Sequence, residues 1–251
     1  MKILCASPFA TDQCLFGYTN TIACLFGLLA ARNISFDYQA VRSSDVVLNR
    51  NVIAHKFIEN SDATHLLMLD TDMEIEMRVF EHFLKTGHDF MGAVYSRRKL
   101  DLAAFHAHAR AGKDVETAKA LASNFPVRLP KGKFTFANAF APVEGIGMGC
   151  VLIARRVFEE VARQGHAPVV TDDLATLFGI GDKYRDYFGL LPNGDGSHLS
   201  EDYSFCKRVV DTTGVDIMGY IGPGVHHLGQ FQFSGAFQSV LVEAMEKESA
   251  S

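Results

Sequence analysis

Two aspartates at the end of an apolar run are the residues whose types and spacing most directly suggest chemistry. The apolar residues 66–69 are followed at once by Asp70-Thr71-Asp72. In an extended chain, residues two apart point to the same side, so the carboxyl groups of Asp70 and Asp72 are predicted to converge. Two carboxylates at one place repel each other unless a positive charge lies between them. A divalent cation such as Mg2+ or Mn2+ supplies that charge and keeps positions free for phosphate oxygens, although two solvated aspartates in a turn explain the spacing equally well.

A second pair of acids, Glu201 and Asp202, follows Ser200, a residue suited to cap the start of a helix. One of these carboxylates is a candidate general base that accepts a proton from a hydroxyl group. The alternative is purely structural, because acidic side chains in a first turn interact favourably with the helix dipole. The dipole lowers the pKa of such a carboxyl group and burial raises it, and the sequence leaves that balance open.

Two histidines, His226 and His227, follow a glycine-proline-glycine turn at 222–224. A neutral imidazole nitrogen is a common metal ligand. A lone histidine is more often structural than a ligand, but the two acid motifs elsewhere in the chain favour a ligand here.

The elements that must position these residues alternate along the sequence. Strands are predicted at 2–7, 34–38, 64–69, 89–95, 145–154 and 215–220, and helices at 19–31, 46–59, 77–86, 155–163 and 201–213. This order predicts an α/β fold with a mostly parallel sheet flanked by helices. In such sheets ligands bind at the carboxyl ends of the strands, which is where the Asp70 motif lies.

Two less regular segments interrupt this alternation, and both are predicted to be excursions from the sheet. They cover about 99–142, with one predicted helix at 115–122, and about 165–198. One domain is expected over residues 1–230, because 251 residues suit a single domain with large loops. Residues 231–251 are expected to form a C-terminal helix and tail, with the helix at 238–247.

The composition excludes several classes of function. With 48% hydrophobic and 21% charged residues, the chain is typical of a soluble globular protein. A net charge of −5 gives no global basic field for nucleic acid, and no apolar stretch approaches the ~20 residues that span a bilayer. The five cysteines include no CxxC pair, and Cys5, Cys24, Cys150 and Cys206 lie in apolar segments and are predicted to be buried. A reducing cytoplasm suits this pattern.

In this order, the Asp-x-Asp, Glu-Asp and His-x-Gly motifs resemble the GT-A class of glycosyltransferases, in the bacterial and viral members that are similar to family 2. Further segments carry the resemblance: residues 50–54 (RNVIA), 92–98 (GAVYSRR), 143–149 (VEGIGMG) and 152–158 (LIARRVF). Such members often have proline where this chain has Ser96. The resemblance covers about residues 1–230 without the two excursions, and it implies a GT-A, Rossmann-like fold. The excursions at 99–142 and 165–198 are expected to form the acceptor side and to become ordered when the donor binds.

The resemblance implies a role for each motif. The metal ligands would be Asp70, Asp72 and His227, with Asp72 on the cation directly and Asp70 on the ribose or on a metal-bound water. His227 is preferred to its neighbour because it completes the His-x-Gly pattern. Asp202 would be the catalytic base beside Glu201, and the cofactor would be Mn2+ or Mg2+.

The same resemblance implies where the donor binds. The nucleotide would be lined by Pro8, Arg50 and Asn51. Gly147, together with Gly145 and Gly149, would let the backbone approach the donor sugar or the acceptor; tight packing of a strand is the structural alternative.

The function implied is metal-dependent transfer of a sugar, of hexosyltransferase type, from a nucleotide sugar, with a UDP-sugar as the expected donor. The acceptor is a hydroxyl on a glycan, a lipid-linked glycan, a protein or a modified nucleic-acid base. An aspartate base suggests inversion, although a metal-bound histidine also occurs in retaining members. Three alternatives stay open: a haloacid-dehalogenase-like phosphatase with Asp70 as nucleophile, a sugar nucleotidyltransferase, and a non-catalytic module that binds nucleotide sugars.

Overall fold

A seven-stranded sheet runs through the middle of the protein in the computed structural model, which describes residues 1–132, 135, 137 and 139–229. In chain order the strands are β1 (Lys2–Phe9), β2 (Ser35–Arg42), β3 (His65–Leu69), β4 (Met73–Ile75), β5 (Phe90–Ala93), β6 (Val127–Arg128), β7 (Phe140–Val143), β8 (Gly145–Ile146), β9 (Cys150–Ala154), β10 (Val169–Thr171), β11 (Lys183–Arg185), β12 (Ile217–Tyr220) and β13 (Val225–His227). The helices are α1 (Phe16–Ala31), α2 (Val46–Glu59), α3 (Met77–Thr86), α4 (Leu102–Arg110), α5 (Val115–Leu121), α6 (Arg155–Arg163) and α7 (Glu201–Thr212), with a 3₁₀ helix at Asp173–Phe178.

The strand order of the main sheet is β2-β1-β3-β9-β5-β12-β7. Strands β1, β2, β3, β5 and β12 run in one direction, and β9 and β7 run against their neighbours. The predicted α/β class, with a mostly parallel sheet flanked by helices, is therefore confirmed.

Alternation along the strands divides the core into two layers. In β1, Leu4 and Ala6 face one layer, while Ile3 and Cys5 face the other. The first layer is covered by α2, α6 and α7, and the second by α1 and α3. Because both faces are covered, the central strands are apolar on both sides, which explains their continuous hydrophobic runs.

A two-stranded antiparallel ribbon brings the two predicted metal-binding motifs together. Strand β4 begins directly after Asp72, and it pairs with β13 so that Met73 lies opposite His227. The backbone N–H of Leu228 also donates to the carbonyl of Asp72 at 2.7 Å. A register of this kind fixes His227 beside the end of β3, although the two segments are far apart in the sequence.

Helices α2 and α7 also contribute side chains near the carboxyl end of β3. Helix α2 starts at the N-cap Asp45, whose carboxylate accepts from the N–H of Leu48 at 3.1 Å, and carries Arg50 on its buried face. Helix α7 starts at the predicted N-cap Ser200, whose hydroxyl accepts from the N–H of Tyr203 at 3.5 Å. Glu201 and Asp202 therefore occupy its first turn.

Several local predictions were wrong. The strand predicted at 145–154 is two strands, because the chain turns at 147–149 and β8 pairs with β6 instead of joining the main sheet. The first excursion contains α4 and β7 as well as the predicted helix. Cys24 is exposed on the outer surface of α1, whereas the other three cysteines predicted to be buried are buried.

The predicted helix at 238–247 and the tail at 231–251 lie outside the described residues. Within the described part of the chain, no helix is both long and apolar enough to cross a membrane.

Candidate active site

A buried arginine gathers three carboxyl groups at the carboxyl end of β3. Arg50 is 2% exposed. Its Nη1 and Nη2 lie 3.4 and 3.3 Å from the two carboxylate oxygens of Asp70. Nη2 also lies 3.3 Å from Oδ1 of Asp202, and Nε lies 3.6 Å from Oε1 of Glu201. The side chain predicted to line the nucleotide thus joins the Asp-x-Asp motif to the Glu-Asp motif.

Burial and charge shift the pKa values of this cluster in opposing directions. Burial lowers the pKa of the Arg50 guanidinium, but Asp70, Asp202 and Glu201 outweigh this effect and raise it, so the group stays charged. Burial raises the pKa of Asp70, and Arg50 only partly offsets that rise. Burial also raises the pKa of Asp202 to about 7, with Arg50 opposing the rise and Glu201 adding to it. A carboxyl group with a pKa near neutrality is suited to accept a proton.

One oxygen of Asp202 has no hydrogen-bond partner among the described residues. Oδ1 is buried and lies 3.3 Å from Nη2 of Arg50, which balances its charge. Unsatisfied buried acceptors are uncommon in proteins and call for a physical explanation. A substrate hydroxyl would reach Oδ1 only after the atoms that cover it move aside.

Asp72, the second acid of the motif, faces a different set of partners. Its Oδ2 lies 3.2 Å from Nε2 of His227 and 3.0 Å from Nη1 of Arg98. Burial raises the pKa of Asp72, but His227 and then Arg98 outweigh this effect and hold it below its usual value. Both aspartates line one cleft, but their partners differ because the chain turns between them, with the N–H of Met73 donating to the carbonyl of Asp70 at 3.2 Å. The alternation of an extended strand no longer applies within that turn.

The ring of His227 is oriented as a metal ligand would be. Its Nδ1 lies 3.0 Å from the carbonyl oxygen of Ser96, and a carbonyl only accepts, so Nδ1 carries the proton. A ring that also carries a proton on Nε2 donates to Oδ2 of Asp72, and this hydrogen bond is the one that lowers the pKa of Asp72. In a neutral ring Nε2 presents a lone pair to that oxygen instead, and a metal ion between the two atoms would remove the repulsion. A backbone carbonyl on the second nitrogen is the arrangement found around histidines that bind metals.

These observations test whether a divalent cation fits. Across the described residues, no group of three or more histidine, cysteine, aspartate or glutamate side chains is arranged to hold a metal ion. Asp72 and His227 are together, whereas Asp70 is held by Arg50. Two protein ligands still suit Mg2+ or Mn2+, since such ions keep several positions for water and substrate phosphates. A carboxylate oxygen and an oriented imidazole nitrogen are suitable donors.

A cleft of about 160 Å³ opens beside this cluster, between the ends of β1, β2 and β3. Its lining residues are Pro8, Ala10, Ser43, Ser44, Val46, Asn49, Asp70, Thr71 and Asp72. Asn49 is 2% exposed, and its Nδ2 donates to the carbonyls of Phe9 at 3.2 Å and Ser43 at 2.8 Å. Those two bonds fix the amide orientation, and they leave Oδ1 buried without a hydrogen-bond partner in the described chain.

The structure places Pro8 in this cleft and Asn51 away from it. Asn51 is 1% exposed. Its Nδ2 donates to Asp186 at 2.7 Å, and its Oδ1 accepts from the N–H groups of Tyr187 and Phe188 at 2.9 and 3.1 Å. The Asn51 side chain therefore joins α2 to the second excursion in this conformation. Its predicted contact with the nucleotide remains a prediction that this geometry does not favour.

The space beside Gly147 is filled by a tyrosine. A Cβ atom at Gly147 would lie 2.3 Å from the hydroxyl oxygen of Tyr95, and one at Gly149 would lie 2.9 Å from the same ring. The Tyr95 ring in turn meets the ring of His227 edge-on, with centroids 5.1 Å apart. The absence of side chains at Gly147 and Gly149 therefore leaves room for Tyr95, which packs against His227. This arrangement corresponds to the packing role of these glycines and not to direct contact with a ligand.

Sequence reasoning missed three participants. Arg98 and Tyr95 appear in the sequence analysis only within the segment GAVYSRR, and Asn49 does not appear there. Tyr95, Ser96 and Arg98 all lie in the GAVYSRR segment, whose position directly after a central strand was the available signal. The neighbours that each side chain meets depend on the tertiary fold.

Comparisons with known proteins give distant overlaps of structure only. No protein-family model matches the chain, and no curated protein matches it either. A crystal structure of a protein from STIV is 15% identical, with a TM-score of 0.44 over 94% of this chain and 100% of that one. A Drosophila β-1,4-galactosyltransferase 7, in complex with manganese, UDP-Gal and xylobiose, is 12% identical, with a TM-score of 0.43 over 95% and 78%. A glycosyltransferase involved in glycosylation of the major capsid of PBCV-1 is 10% identical, with a TM-score of 0.32 over 62% and 61%. Solved structures that overlap with the chain thus include glycosyltransferases, but TM-scores below 0.5 decide neither family nor activity.

Proposed function

We propose that this protein is a metal-dependent glycosyltransferase that moves a sugar from a nucleotide-sugar donor to an acceptor hydroxyl. The observation that carries the proposal is the meeting of three distant segments at the carboxyl end of the sheet. Asp70 and Asp72, Glu201 and Asp202, and His227 all lie around Arg50 and Arg98. Three of the carboxyl groups face Arg50, and the fourth, that of Asp72, faces His227 and Arg98, where a cation would have a carboxylate and an imidazole as ligands.

The cation would be held by Asp72 and by Nε2 of His227, with Asp70 kept off it by Arg50. When bound, Mn2+ or Mg2+ neutralises the negative charge of the departing diphosphate. Asp70 faces both the cleft and Arg50, and from there it reaches a ribose hydroxyl or a metal-bound water. The ribose and base then occupy the cleft beside Pro8.

A UDP-sugar is the donor in this proposal, as the sequence resemblance implies. Asn49 lines the cleft and holds its wall in place through the two hydrogen bonds from Nδ2 to the carbonyls of Phe9 and Ser43.

Asp202 would take the proton from the acceptor hydroxyl, and Glu201 would orient that hydroxyl or Asp202 itself. Attack by the hydroxyl from the side opposite the leaving diphosphate inverts the anomeric centre. An acceptor on a glycan, a lipid-linked glycan, a protein or a modified base is compatible with this chemistry. A phosphatase that uses Asp70 as nucleophile is less compatible, because Arg50 engages both oxygens of that carboxylate.

The testing experiment is a thermal-shift screen of nucleotides and sugar nucleotides, each with and without Mn2+. A ligand that binds only the folded state stabilises it by about 2.7 kcal/mol at a hundredfold excess over Kd. We expect UDP and at least one UDP-sugar to raise the melting temperature only with Mn2+. Asp72→Ala should lose that shift and keep its own cooperative transition. Asp62→Ala, an exposed aspartate that pairs with Lys2 at the amino-terminal end of β1, should keep the shift.

The proposal fails if no nucleotide with Mn2+ stabilises the wild-type chain, or if Asp72→Ala responds as the wild type does. Where binding is found, release of UDP with a candidate acceptor distinguishes an enzyme from a module that only binds nucleotide sugars. Absence of turnover with every donor and acceptor would favour that module.

A further inference from the structure

Arg98 holds the place next to Asp72 that a cation would take. Its Nη1 lies 3.0 Å from Oδ2 of Asp72, the oxygen that also faces Nε2 of His227. The Arg98 side chain is 53% exposed and Asp72 is 26% exposed, so the contact lies at the mouth of the site. The aliphatic part of Arg98 runs across Gly229, where a Cβ atom would lie 2.7 Å from Cδ of the arginine.

Arg98 and a divalent cation compete for the same carboxylate oxygen. Like charges a few ångströms apart repel each other strongly in a partly buried site. When Mn2+ binds Asp72 and His227, the guanidinium therefore gains by leaving Asp72. It needs another anion, and the one that arrives with the cation is the diphosphate of the donor.

We propose that Arg98 pairs with Asp72 while the cation is absent and with the donor diphosphate once the cation is bound. This inference rests on the proposed function. A planar guanidinium fits phosphate oxygens with two parallel hydrogen bonds. The exposed position of Arg98 and its flexible stem allow the change of partner without a rearrangement of the buried site. Arg98 is thus a donor-binding residue that also lowers the affinity of the site for the cation while no donor is bound.

Calorimetric titration of Arg98→Gln tests both parts of the inference, because the affinity for Mn2+ should increase and the affinity for UDP should decrease. Titration with Mn2+ alone should show tighter binding than in the wild type, by about two- to fivefold, because a partly exposed competitor has been removed. Titration with UDP at saturating Mn2+ should show binding weakened about tenfold or more, because a charge-assisted contact is lost. Titration with uridine, which has no phosphate, should give the same affinity in both proteins.

Two matched variants complete the experiment. Arg98→Lys keeps the charge but lacks the planar fork, so we expect Mn2+ affinity near that of the wild type and UDP affinity between the two. Arg97→Gln removes the same charge from the neighbouring residue, which forms no ion pair within the described residues, and it should change neither affinity.

The outcomes separate this inference from the proposed function. If the wild type binds neither Mn2+ nor UDP, both are overturned. If the wild type binds both ligands but Arg98→Gln binds Mn2+ no more tightly, Arg98 does not compete with the cation. Unchanged UDP affinity in Arg98→Gln would exclude the contact with the diphosphate, and equal losses for UDP and uridine would indicate general damage to the site instead.

Discussion

Arg50 lies where carboxyl groups from two distant segments meet, and it is 2% exposed. It engages both oxygens of Asp70 and contacts one oxygen each of Asp202 and Glu201. Without it, three acidic side chains would face one another in a largely buried place. Its charge therefore stabilises the arrangement, and its planar shape fixes the direction in which Asp70 points.

At the scale of this residue, we expect Arg50→Met to lower the free energy of unfolding by about 3–5 kcal/mol at pH 8, because buried carboxylates lose their partner. The loss should be smaller at pH 5. Burial already raises the pKa values of Asp70 and Asp202, and removal of Arg50 raises them further, so both groups become neutral as the pH falls. Urea unfolding at the two pH values measures the difference.

The control for that substitution is Arg163→Met. Arg163 is 68% exposed and, among the residues that the structure describes, pairs with Glu160 alone, three residues earlier, so its loss should cost less than about 1 kcal/mol at either pH. An equal cost for Arg50→Met and Arg163→Met would contradict the stabilising role of Arg50.

Asp202 carries the second prediction at this scale. Its pKa is raised to about 7, mainly by burial, and only the ionised form accepts a proton. The rate of transfer should therefore rise with pH up to about 7 and level off above it. Asp202→Asn should lower kcat by about 10²–10⁴-fold and leave the affinity for donor nearly unchanged.

The measurement is the pH profile of kcat in both proteins and in Glu201→Gln. The rising limb should vanish in Asp202→Asn and persist, with a smaller loss of rate, in Glu201→Gln. Near wild-type transfer by Asp202→Asn would rule out this residue as the base, and retention of the anomeric configuration, read by NMR of the product, would require another role for it.

At the scale of elements, the turn between β8 and β9 acts on the site through Tyr95. Gly147 and Gly149 leave room for the Tyr95 ring, and that ring meets His227 edge-on. The Tyr95 hydroxyl also accepts from the N–H of Gly149 at 3.3 Å, and the carbonyl of Gly149 accepts from the N–H of Asp70 at 2.9 Å. The turn therefore contacts Asp70 directly and His227 through Tyr95.

We expect Gly147→Ala to weaken binding of Mn2+, because a Cβ atom 2.3 Å from the Tyr95 hydroxyl must displace the ring behind His227. Calorimetric titration with Mn2+ measures the change, and circular dichroism verifies that the variant is folded. Gly27→Ala in α1 is the matched control and should bind Mn2+ normally, because within the described part of the chain no atom outside the local helix backbone lies within 4 Å of the added Cβ. Unchanged Mn2+ affinity in a folded Gly147→Ala variant would contradict the role of this turn.

The two excursions are expected to respond differently to ligands. The first is linked to Arg98 through its neighbours, since the N–H of Arg97 donates to Asn124 at 2.7 Å and the N–H of Asp101 donates to Ala122 at 3.0 Å. The second contributes Tyr187 and Phe188 to the buried core.

Hydrogen exchange with and without UDP and Mn2+ tests this difference. Peptides from residues 97–130 should become more protected on binding, because a change of partner at Arg98 alters the segment that carries α4 and α5. Peptides from 183–191 should be protected in both states. Equal protection of 97–130 in the two states would argue against a mobile acceptor side.

At the scale of the whole molecule, aromatic side chains join the second excursion to helices α7 and α6. The ring of Phe188 stacks on Phe205 of α7 with centroids 4.7 Å apart, and Phe205 stacks on Phe158 of α6 at 5.0 Å. Phe188 is fully buried. This packing supports the expectation that residues 1–230 form one domain.

If residues 1–230 form one cooperative domain, the protein should show a single unfolding transition. Far-ultraviolet circular dichroism and tyrosine fluorescence should report the same urea midpoint, and Phe188→Ala should lower the free energy of unfolding by about 3–5 kcal/mol for both probes. Phe16→Ala, at a position 83% exposed, should change it by less than about 0.5 kcal/mol. A separate early transition in Phe188→Ala would show that the second excursion unfolds independently.

The sequence by itself determined the α/β class and the order of most elements, because apolar runs of strand length alternate with helical segments whose ends carry capping residues. It also identified the motifs at 70–72, 201–202 and 227, since residue type and position along an element are local properties. The strand break at 147–149 was missed because it depends on the room that Tyr95 needs.

Only the tertiary structure decided how those motifs share their partners. A turn after β3 directs Asp70 toward Arg50 and Asp72 toward His227 and Arg98. Strand alternation predicted convergence of the two aspartates, but that rule holds only while the chain stays extended. The partner of a charged side chain is set by what other elements bring within a few ångströms, and local sequence carries no record of those distances.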